Sequence, residues 1–537
     1  MSLAMLLREF SEEKGLDYDR VVEEAARIGA PPLEVLVRVE KVTDYAEVAE
    51  YISRRSGIPL RKSGIVAERS YWYVRFSDGA VGIFDPEMAD DARRVFPGAE
   101  IYIVPYYFFA GGGEEKEGYV GRFIRIVKAA LAMGATDIHF EVRDYGVELR
   151  YRILGDMVKA ETLSLAEGRV LQQVVKNMAQ KDTPNLNVEE WRLTQDARIV
   201  LSDLGLDLRL AFTPSLVDGY QNLVIRILYR ETSRVKGPES IEALGFMPED
   251  VEVLLRAIGR REGFVIVSGA TGSGKSRTLN TLLALVPSTR KVLTVEDPVE
   301  YQVENAVQHQ VFEFRKENEF VRVDFLDYVR EFMRQDPDVI FVGEWRKHPE
   351  LTEAMLYAVE TGHLVLTTLH ASRVVTVPNL LIRQYRLAPE DLANGIILVL
   401  NQRLLKRVCP NCAVERKVTA EDLVFVDHLR FMDRERLRDL EGRALAFPNR
   451  EGCAECRIVH PETGRVMSAG FAGRTVIYEY LEFQKEEREL VLETTSALKF
   501  EEHLLRRAAC ARSFVDVALK KLEAGEIDLG SAFAVLL

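Results

Sequence analysis

Residues 269–276 read Gly-Ala-Thr-Gly-Ser-Gly-Lys-Ser, and the run before them, Phe264-Val265-Ile266-Val267-Ser268, is an apolar segment of the length a buried strand needs. A strand running straight into such a loop constrains the fold more than any other feature of the chain. Gly269, Gly272 and Gly274 permit the tight turns that aim backbone amides at phosphate oxygens, Lys275 reaches the outer phosphates, and the Ser276 hydroxyl reaches Mg²⁺. The stretch from Arg277 to Leu285 suits a helix whose positive N-terminus faces the same anion. The expected phosphate-binding segment is therefore Gly269, Ala270, Thr271, Gly272, Ser273, Gly274, Lys275, Ser276 and Arg277, with Ser276 as the magnesium ligand. An ordinary glycine-rich turn is the alternative, and it does not account for the strand and helix on either side.

At 537 residues the chain exceeds what one core organises, and roughly three or four domains are expected. The 71 basic and 84 acidic residues leave a formal charge of −13, which disfavours a broad basic surface for nucleic acid. Met1 to Phe10 is interrupted by Arg8 and Glu9 and lacks the apolar centre of a signal peptide, and runs such as Gly395 to Leu400 fall far short of a bilayer span. A cytosolic protein is expected, with any membrane association made through partners.

Helical periodicity dominates the first ~60 residues, with breakers at Gly29 and Pro31-Pro32. Ser70 to Phe76 reads as a strand, Ser77-Asp78-Gly79 as a turn and Val81 to Phe84 as a second strand. A small α+β domain is thus expected over 1–110, followed by a flexible linker at 111–118, where glycines and charges leave nothing to anchor a core. A helix from Arg122 to Ala132 and alternating runs at 137–141, 147–153, 207–212 and 222–228 predict a second α+β domain over 119–232. The charged stretch Arg230 to Pro238 suggests a hinge at 233–240, and the nucleotide-binding core is expected over 241–400.

Two further strands end in acid. Lys291 to Val295 leads into Glu296-Asp297-Pro298-Val299-Glu300, and Val339 to Val342 into Gly343-Glu344. In an open α/β sheet ligands lie beyond the carboxyl ends of strands, so both clusters should face the nucleotide. One carboxylate is needed near the Mg²⁺ shell and one to orient or deprotonate water, because phosphoryl transfer is mostly positioning and charge neutralisation. The strand context favours Glu296 and Glu344 for these roles, whereas Asp297 before Pro298 reads equally well as turn chemistry. A third apolar strand, Leu364 to Leu369, is bracketed by His363 and His370, which serve either as γ-phosphate contacts or as structural residues.

Cys409-Pro410-Asn411-Cys412 and Cys453-Ala454-Glu455-Cys456 form two Cys-x-x-Cys pairs, leaving Cys510 over. In a reducing compartment two such pairs suit a closed structural zinc site. A redox pair is the competing reading, and Cys510 reads as a small buried apolar residue.

The order of motifs resembles the secretion ATPases of type II secretion and type IV pilus assembly. The matching stretches are GATGSGKS at 269–276, TVEDPVEYQ at 294–302, DPDVIFVGEWR at 336–346 and TGHLVLTTLHA at 361–371, with ATDIHFE at 135–141, LRYRILG at 149–155 and LVIRIL at 223–228 upstream. The resemblance covers roughly residues 119 to 480. It implies an α/β fold: a RecA-like P-loop ATPase domain with two N-terminal α+β domains, the second PAS-like, and a tetracysteine zinc subdomain over 401–480, followed by a C-terminal helical subdomain over 481–537.

By the same resemblance the chain is expected to be a hexameric Mg²⁺-ATPase that powers pilus or pseudopilus assembly. Arg209 and Arg226, with Arg150 and Arg152 as weaker candidates, would supply charge to the γ-phosphate. The expected partners are an inner-membrane platform protein and a membrane-anchored docking protein, met at the cytoplasmic face of the inner membrane by the domain over 1–110; no direct nucleic-acid contact is expected. The chain departs from the family where Gly343-Glu344-Trp345-Arg346-Lys347 replaces the usual Gly-Glu-Ile-Arg-Asp. A pilus retraction motor, a ring-shaped DNA translocase and a nucleotide-binding scaffold without turnover remain as alternatives.

Overall fold

The computed structural model describes residues 3–22, 45–61, 66–69, 74–76, 80–83, 86–103, 119–183, 185–229, 240–316, 319–429, 431–507 and 510–537. The linker expected at 111–118, the hinge expected at 233–240 apart from Ser240, the breakers at 29–32 and the turn at 77–79 lie outside the described residues. The chain divides into two compact units, one comprising Met1–Leu228 with His460–Arg465 and the other Tyr229–Val459 with Val466–Leu537. Among the described residues no helix is long and apolar enough to cross a membrane.

In the first unit, the helices Leu3–Glu13 and Tyr45–Ser56 bury Leu6, Phe10, Val48 and Ile52 together with Val81, Ile83 and Ile103 of a four-stranded sheet. A second, six-stranded antiparallel sheet has its strands in the order Asp156–Leu163, Gly146–Ile153, Asp137–Arg143, Gln221–Tyr229, Leu206–Pro214, Gln195–Leu201. Period-two alternation sends Ile138, Phe140, Leu149, Tyr151, Leu223 and Ile225 into its core. The opposite face carries Asp137, His139, Glu141, Arg150, Arg152 and Arg226 in cross-strand register. The helix expected from Arg122 begins three residues earlier, at Tyr119, and runs to Ala132.

The second unit is built on an eight-stranded sheet whose strands follow the order Ala306–Gln310, Val292–Glu296, Val339–Val342, Leu364–Leu369, Gly263–Ser268, Ile396–Val408, Phe471–Glu482, Ala511–Arg512. The first six are parallel, Phe471–Glu482 runs antiparallel to them, and Ala511–Arg512 runs antiparallel to Phe471–Glu482. Parallel strands covered on both faces must be apolar throughout, which is why Phe264 to Val267 shows no polar alternation. Val265 and Val267 pack on one side with helices Pro248–Ile258 and Lys275–Ala284, while Phe264 and Ile266 pack on the other with helices Phe325–Phe332 and Pro349–Glu360. The fold is α/β. The two long strands Ile396–Val408 and Phe471–Glu482 cross the expected domain limits at 400 and 480, so the cysteine-bearing segment is inserted between two strands of the main sheet.

Candidate nucleotide site

Register brings the ends of four parallel strands to one edge. Ser268 pairs with Leu369, Val342 with Thr367 and Val295 with Val342, so the residues that follow, Gly269, His370, Gly343-Glu344 and the Glu296-Asp297 pair, all emerge together. This is the carboxyl edge, where open α/β sheets take their ligands.

The glycine loop has the backbone expected of a phosphate cradle. Gly269, Gly272 and Gly274 have φ of 143°, 77° and 89°, a region that side chains strain to adopt. A Cβ on Gly269 would lie 2.5 Å from the Gln402 carbonyl oxygen and 2.6 Å from Ser273 Oγ. The helix begins directly after Gly274, at Lys275, two residues earlier than the sequence suggests. Lys275 Nζ donates to the carbonyls of Gly269 and Ala270, each at 3.0 Å, and its burial lowers its pKa against the opposing charges of Glu344 and Glu300. Ser276 is part-buried in the first helical turn. Loop, lysine and serine hydroxyl are the donor set that a nucleotide phosphate and Mg²⁺ require.

Facing the loop, the end of the Val339–Val342 strand runs close to its neighbour: Gly343 N donates to Val295 O at 2.8 Å, and a Cβ on Gly343 would come within 3.2 Å of Glu296 Cα. Glu344 is thereby set beside the first acidic cluster. Its carboxylate accepts from Arg346 Nε at 3.0 Å and lies 3.4 Å from His370 Nε2. Arg346 also donates to Asp297 Oδ2 at 3.1 Å, as does Arg322, and its guanidinium lies over the Phe325 ring at 4.8 Å. Arg322 comes from the hairpin of strands Phe312–Lys316 and Glu319–Val323, which sequence reading did not identify.

Glu296 differs from its neighbours in being 4% exposed. Burial pushes its pKa up to about 7, although Oε1 accepts from Gln308 Nε2 and Thr294 Oγ1, both at 3.0 Å. A carboxyl poised there exchanges protons near neutral pH.

His370 joins this cluster and His363 does not. His363 precedes the Leu364–Leu369 strand, its carbonyl accepting from Gly263 N at 3.2 Å and its Nδ1 lying 2.8 Å from Ala358 O, so it stands at the amino edge of the sheet. A six-residue strand separates it from the loop by about 20 Å. Arg209 and Arg226 belong to the six-stranded sheet of the first unit; Arg226 Nε donates to the buried Asp137 at 3.1 Å, and Arg209 is exposed opposite Arg198 in register. Arg150 pairs with Glu141 at 3.2 Å and Arg152 with Asp137 at 3.6 Å.

The sequence gives Asn401 and Gln402 no role at the glycine loop. Asn401 Nδ2 donates to Ser268 Oγ and Gln402 Nε2 to the Ser273 carbonyl, at 2.9 and 2.8 Å, so two amides buttress the loop from beneath. Their signal is a pair of amides directly after the apolar run Ile396 to Leu400, in the middle of one long strand.

The four cysteines Cys409, Cys412, Cys453 and Cys456 converge, with all their Sγ atoms within 4.8 Å of one another. Cys409–Cys453, Cys412–Cys456 and Cys453–Cys456 Sγ separations are 3.8, 3.6 and 3.8 Å. The edge of a tetrahedron with Zn–S bonds of about 2.3 Å is about 3.8 Å, so the set fits zinc. Cys456 Sγ also accepts from the amides of Cys453 and Gly470, at 3.2 and 3.3 Å, as a thiolate ligand does.

Comparison with known proteins agrees with this arrangement. The Type II/IV secretion system protein family matches residues 114–532. The chain is 32% identical over 398 residues to the type IV pilus assembly ATPase PilB of Thermus thermophilus, covering 73% of this chain and 40% of that protein. It is 30% identical over 409 residues to the type II secretion system ATPase E of Vibrio cholerae, covering 76% and 73%. The chain thus spans only two fifths of the Thermus relative's length. The ATPase DotB of Legionella pneumophila superposes over 79% of this chain and 97% of its own with a TM-score of 0.52, at 22% identity, a likeness of fold. The chain belongs to the Type II/IV secretion system protein family.

Proposed function

We propose that the protein is a Mg²⁺-dependent ATP hydrolase that works as a ring of six subunits and drives assembly of a type IV pilus or type II secretion pseudopilus. The observation that carries the hydrolase reading is Glu344, brought to the loop edge and held from two sides by Arg346 and His370. The loop amides and Lys275 would bind the phosphates, and Ser276 would ligate the metal. Bound there, Mg²⁺ supplies neutralisation of phosphate charge. Glu344 orients the attacking water, and Glu296, with its pKa near the working pH, accepts a proton from that network.

Arg209 and Arg226 would approach the γ-phosphate from the first unit of a neighbouring subunit. A planar guanidinium there stabilises charge that builds up in the transition state. The assembly role is supported by the names of the relatives and by the tetracysteine set, which we assign to structural zinc. The N-terminal domain would meet membrane-bound partners at the cytoplasmic face of the inner membrane.

Steady-state ATP turnover with Mg²⁺, followed across a dilution series for wild type and Glu344→Gln, tests this reading. Turnover that rises with assembly and falls by about 10³-fold in the variant supports it. Nucleotide binding without turnover in the assembled protein would reject it.

A further inference from the structure

The loop carrying His370 is gripped along its length. Asn401 Nδ2, besides holding Ser268 Oγ, donates to Ala371 O at 2.9 Å, and Arg403 Nη2 to Ser372 O at 3.5 Å. Thr376 Oγ1 donates to Arg373 O at 2.7 Å. Arg373 Nε then donates to both carboxylate oxygens of Glu479, each at 2.8 Å, and Glu479 Oε1 accepts the Val374 amide at 2.8 Å. The Glu479 side chain is fully buried, and the Arg373 guanidinium also lies 3.6 Å from Glu501.

Asn401 and Glu479 face each other directly across the antiparallel strands Ile396–Val408 and Phe471–Glu482. A single rung of the sheet therefore holds both the residue before the glycine loop and the segment behind His370. A buried ion pair repays its desolvation only when further hydrogen bonds satisfy it; here the single Arg373 Nε hydrogen is shared between the two oxygens of Glu479, and the Val374 amide supplies a second donor. Unlike apolar packing, such bonds are directional, and they fix the path of the loop.

We propose that Glu479 and Arg373 are positioning residues for His370, holding its ring against Glu344 in the geometry that turnover requires. The proposal rests on the hydrolase reading. The strands that form the clamp are the two that bracket the cysteine-bearing segment, so the loop after His370 is anchored on the side of the eight-stranded sheet away from the Val292–Glu296 strand.

The test combines Glu479→Gln and Arg373→Met, singly and each with His370→Ala, reading ATP turnover, binding of a fluorescent ADP analogue and hydrogen exchange. Each clamp variant is expected to lower kcat by about 10- to 100-fold, since a misplacement of about 1 Å costs that much. ADP affinity should change by less than about twofold, and adding His370→Ala should cost nothing further, the mark of residues acting through one another. Additive losses, unchanged turnover in Glu479→Gln, or no effect of His370→Ala would each overturn the proposal. Hydrogen exchange reports without turnover: amides 369–374 should exchange about tenfold faster in Glu479→Gln while 263–285 stay unchanged. Absence of wild-type turnover with that exchange pattern intact would sink the hydrolase reading and leave the clamp standing; unchanged exchange would remove the clamp itself.

Discussion

Glu296 carries a consequence at the level of one proton. Burial, the dominant cause, lifts its pKa from 4.5 to about 7, so between those values the folded protein binds a proton that the unfolded chain has released. Stability attributable to this group is present below pH 4.5 and falls as pH rises toward 7. Glu296→Gln keeps an acceptor for Thr294 and Gln308 but removes the titration. The variant's unfolding free energy should therefore gain on wild type by on the order of 3 kcal/mol between pH 4.5 and 7, read by denaturant melts. If Glu296 accepts a proton in turnover, the acid limb of the wild-type rate profile should sit near pH 7 and be missing from whatever activity the variant retains. A stability difference that stays flat with pH would mean that the carboxyl is ionised throughout.

Among elements, the segment after Glu344 shows how a sequence departure was absorbed. Trp345 is 1% exposed, stacks on Phe264 at 5.0 Å, meets Tyr385 edge-on at 5.7 Å and donates from Nε1 to Thr352 Oγ1 at 3.1 Å. Its amide donates to Thr368 O at 2.9 Å. The indole thus ties the Gly343-Glu344 turn to helix Pro349–Glu360, while Lys347 and His348 lie exposed at that helix's start. Trp345→Ala should cost about 3 to 5 kcal/mol in equilibrium unfolding, as large buried aromatics do, and Trp345→Phe clearly less. Equal costs would show that the ring is not packed as described.

A second tie joins helix Pro248–Ile258 to the far edge of the sheet. Asp250, 1% exposed, accepts from Tyr478 and Tyr480 hydroxyls at 2.6 and 3.0 Å and from Arg512 at 2.7 Å. Replacing it with alanine leaves two buried phenols and a part-buried guanidinium without their acceptor, so Asp250→Ala is expected to lose about 3 kcal/mol. A loss below about 1 kcal/mol would place this group in solvent.

Across the whole molecule, the cysteine-bearing segment divides in two: Val418, Leu423, Val426, Leu437 and Leu445 are buried in the core of the second unit, whereas the stretches around the two cysteine knuckles have little apolar core of their own. Its strands Val414–Lys417, Ala444–Phe447, Ile458–Val459 and Val466–Ser468 form only two-stranded pairs. The metal is expected to supply what the core does not. One zinc per chain should be found by elemental analysis, and its chelation should open the knuckle stretches 409–413 and 449–470 to protease while the eight-stranded sheet and the core residues between them survive. Cleavage that is indifferent to chelation would argue that the four thiols need no ion.

Features written in consecutive residues were legible in the sequence. The glycine loop is one, because its conformation follows from where glycine sits; each Cys-x-x-Cys knuckle is another, because the two intervening residues set the approach of the two thiols. The separation of His363 from His370 was also within reach, since a six-residue strand carries its two ends to opposite edges. Tertiary structure alone decided which strands are neighbours. The order that puts Val339–Val342 between Val292–Glu296 and Leu364–Leu369 is what places Glu344 beside both Asp297 and His370, and chain order does not carry it. The same holds for Arg322, Asn401 and the Glu479–Arg373 pair, whose partners lie 25 to 133 residues away. Local sequence determines backbone shape, whereas contacts across that distance depend on how two apolar faces of a sheet are covered at once.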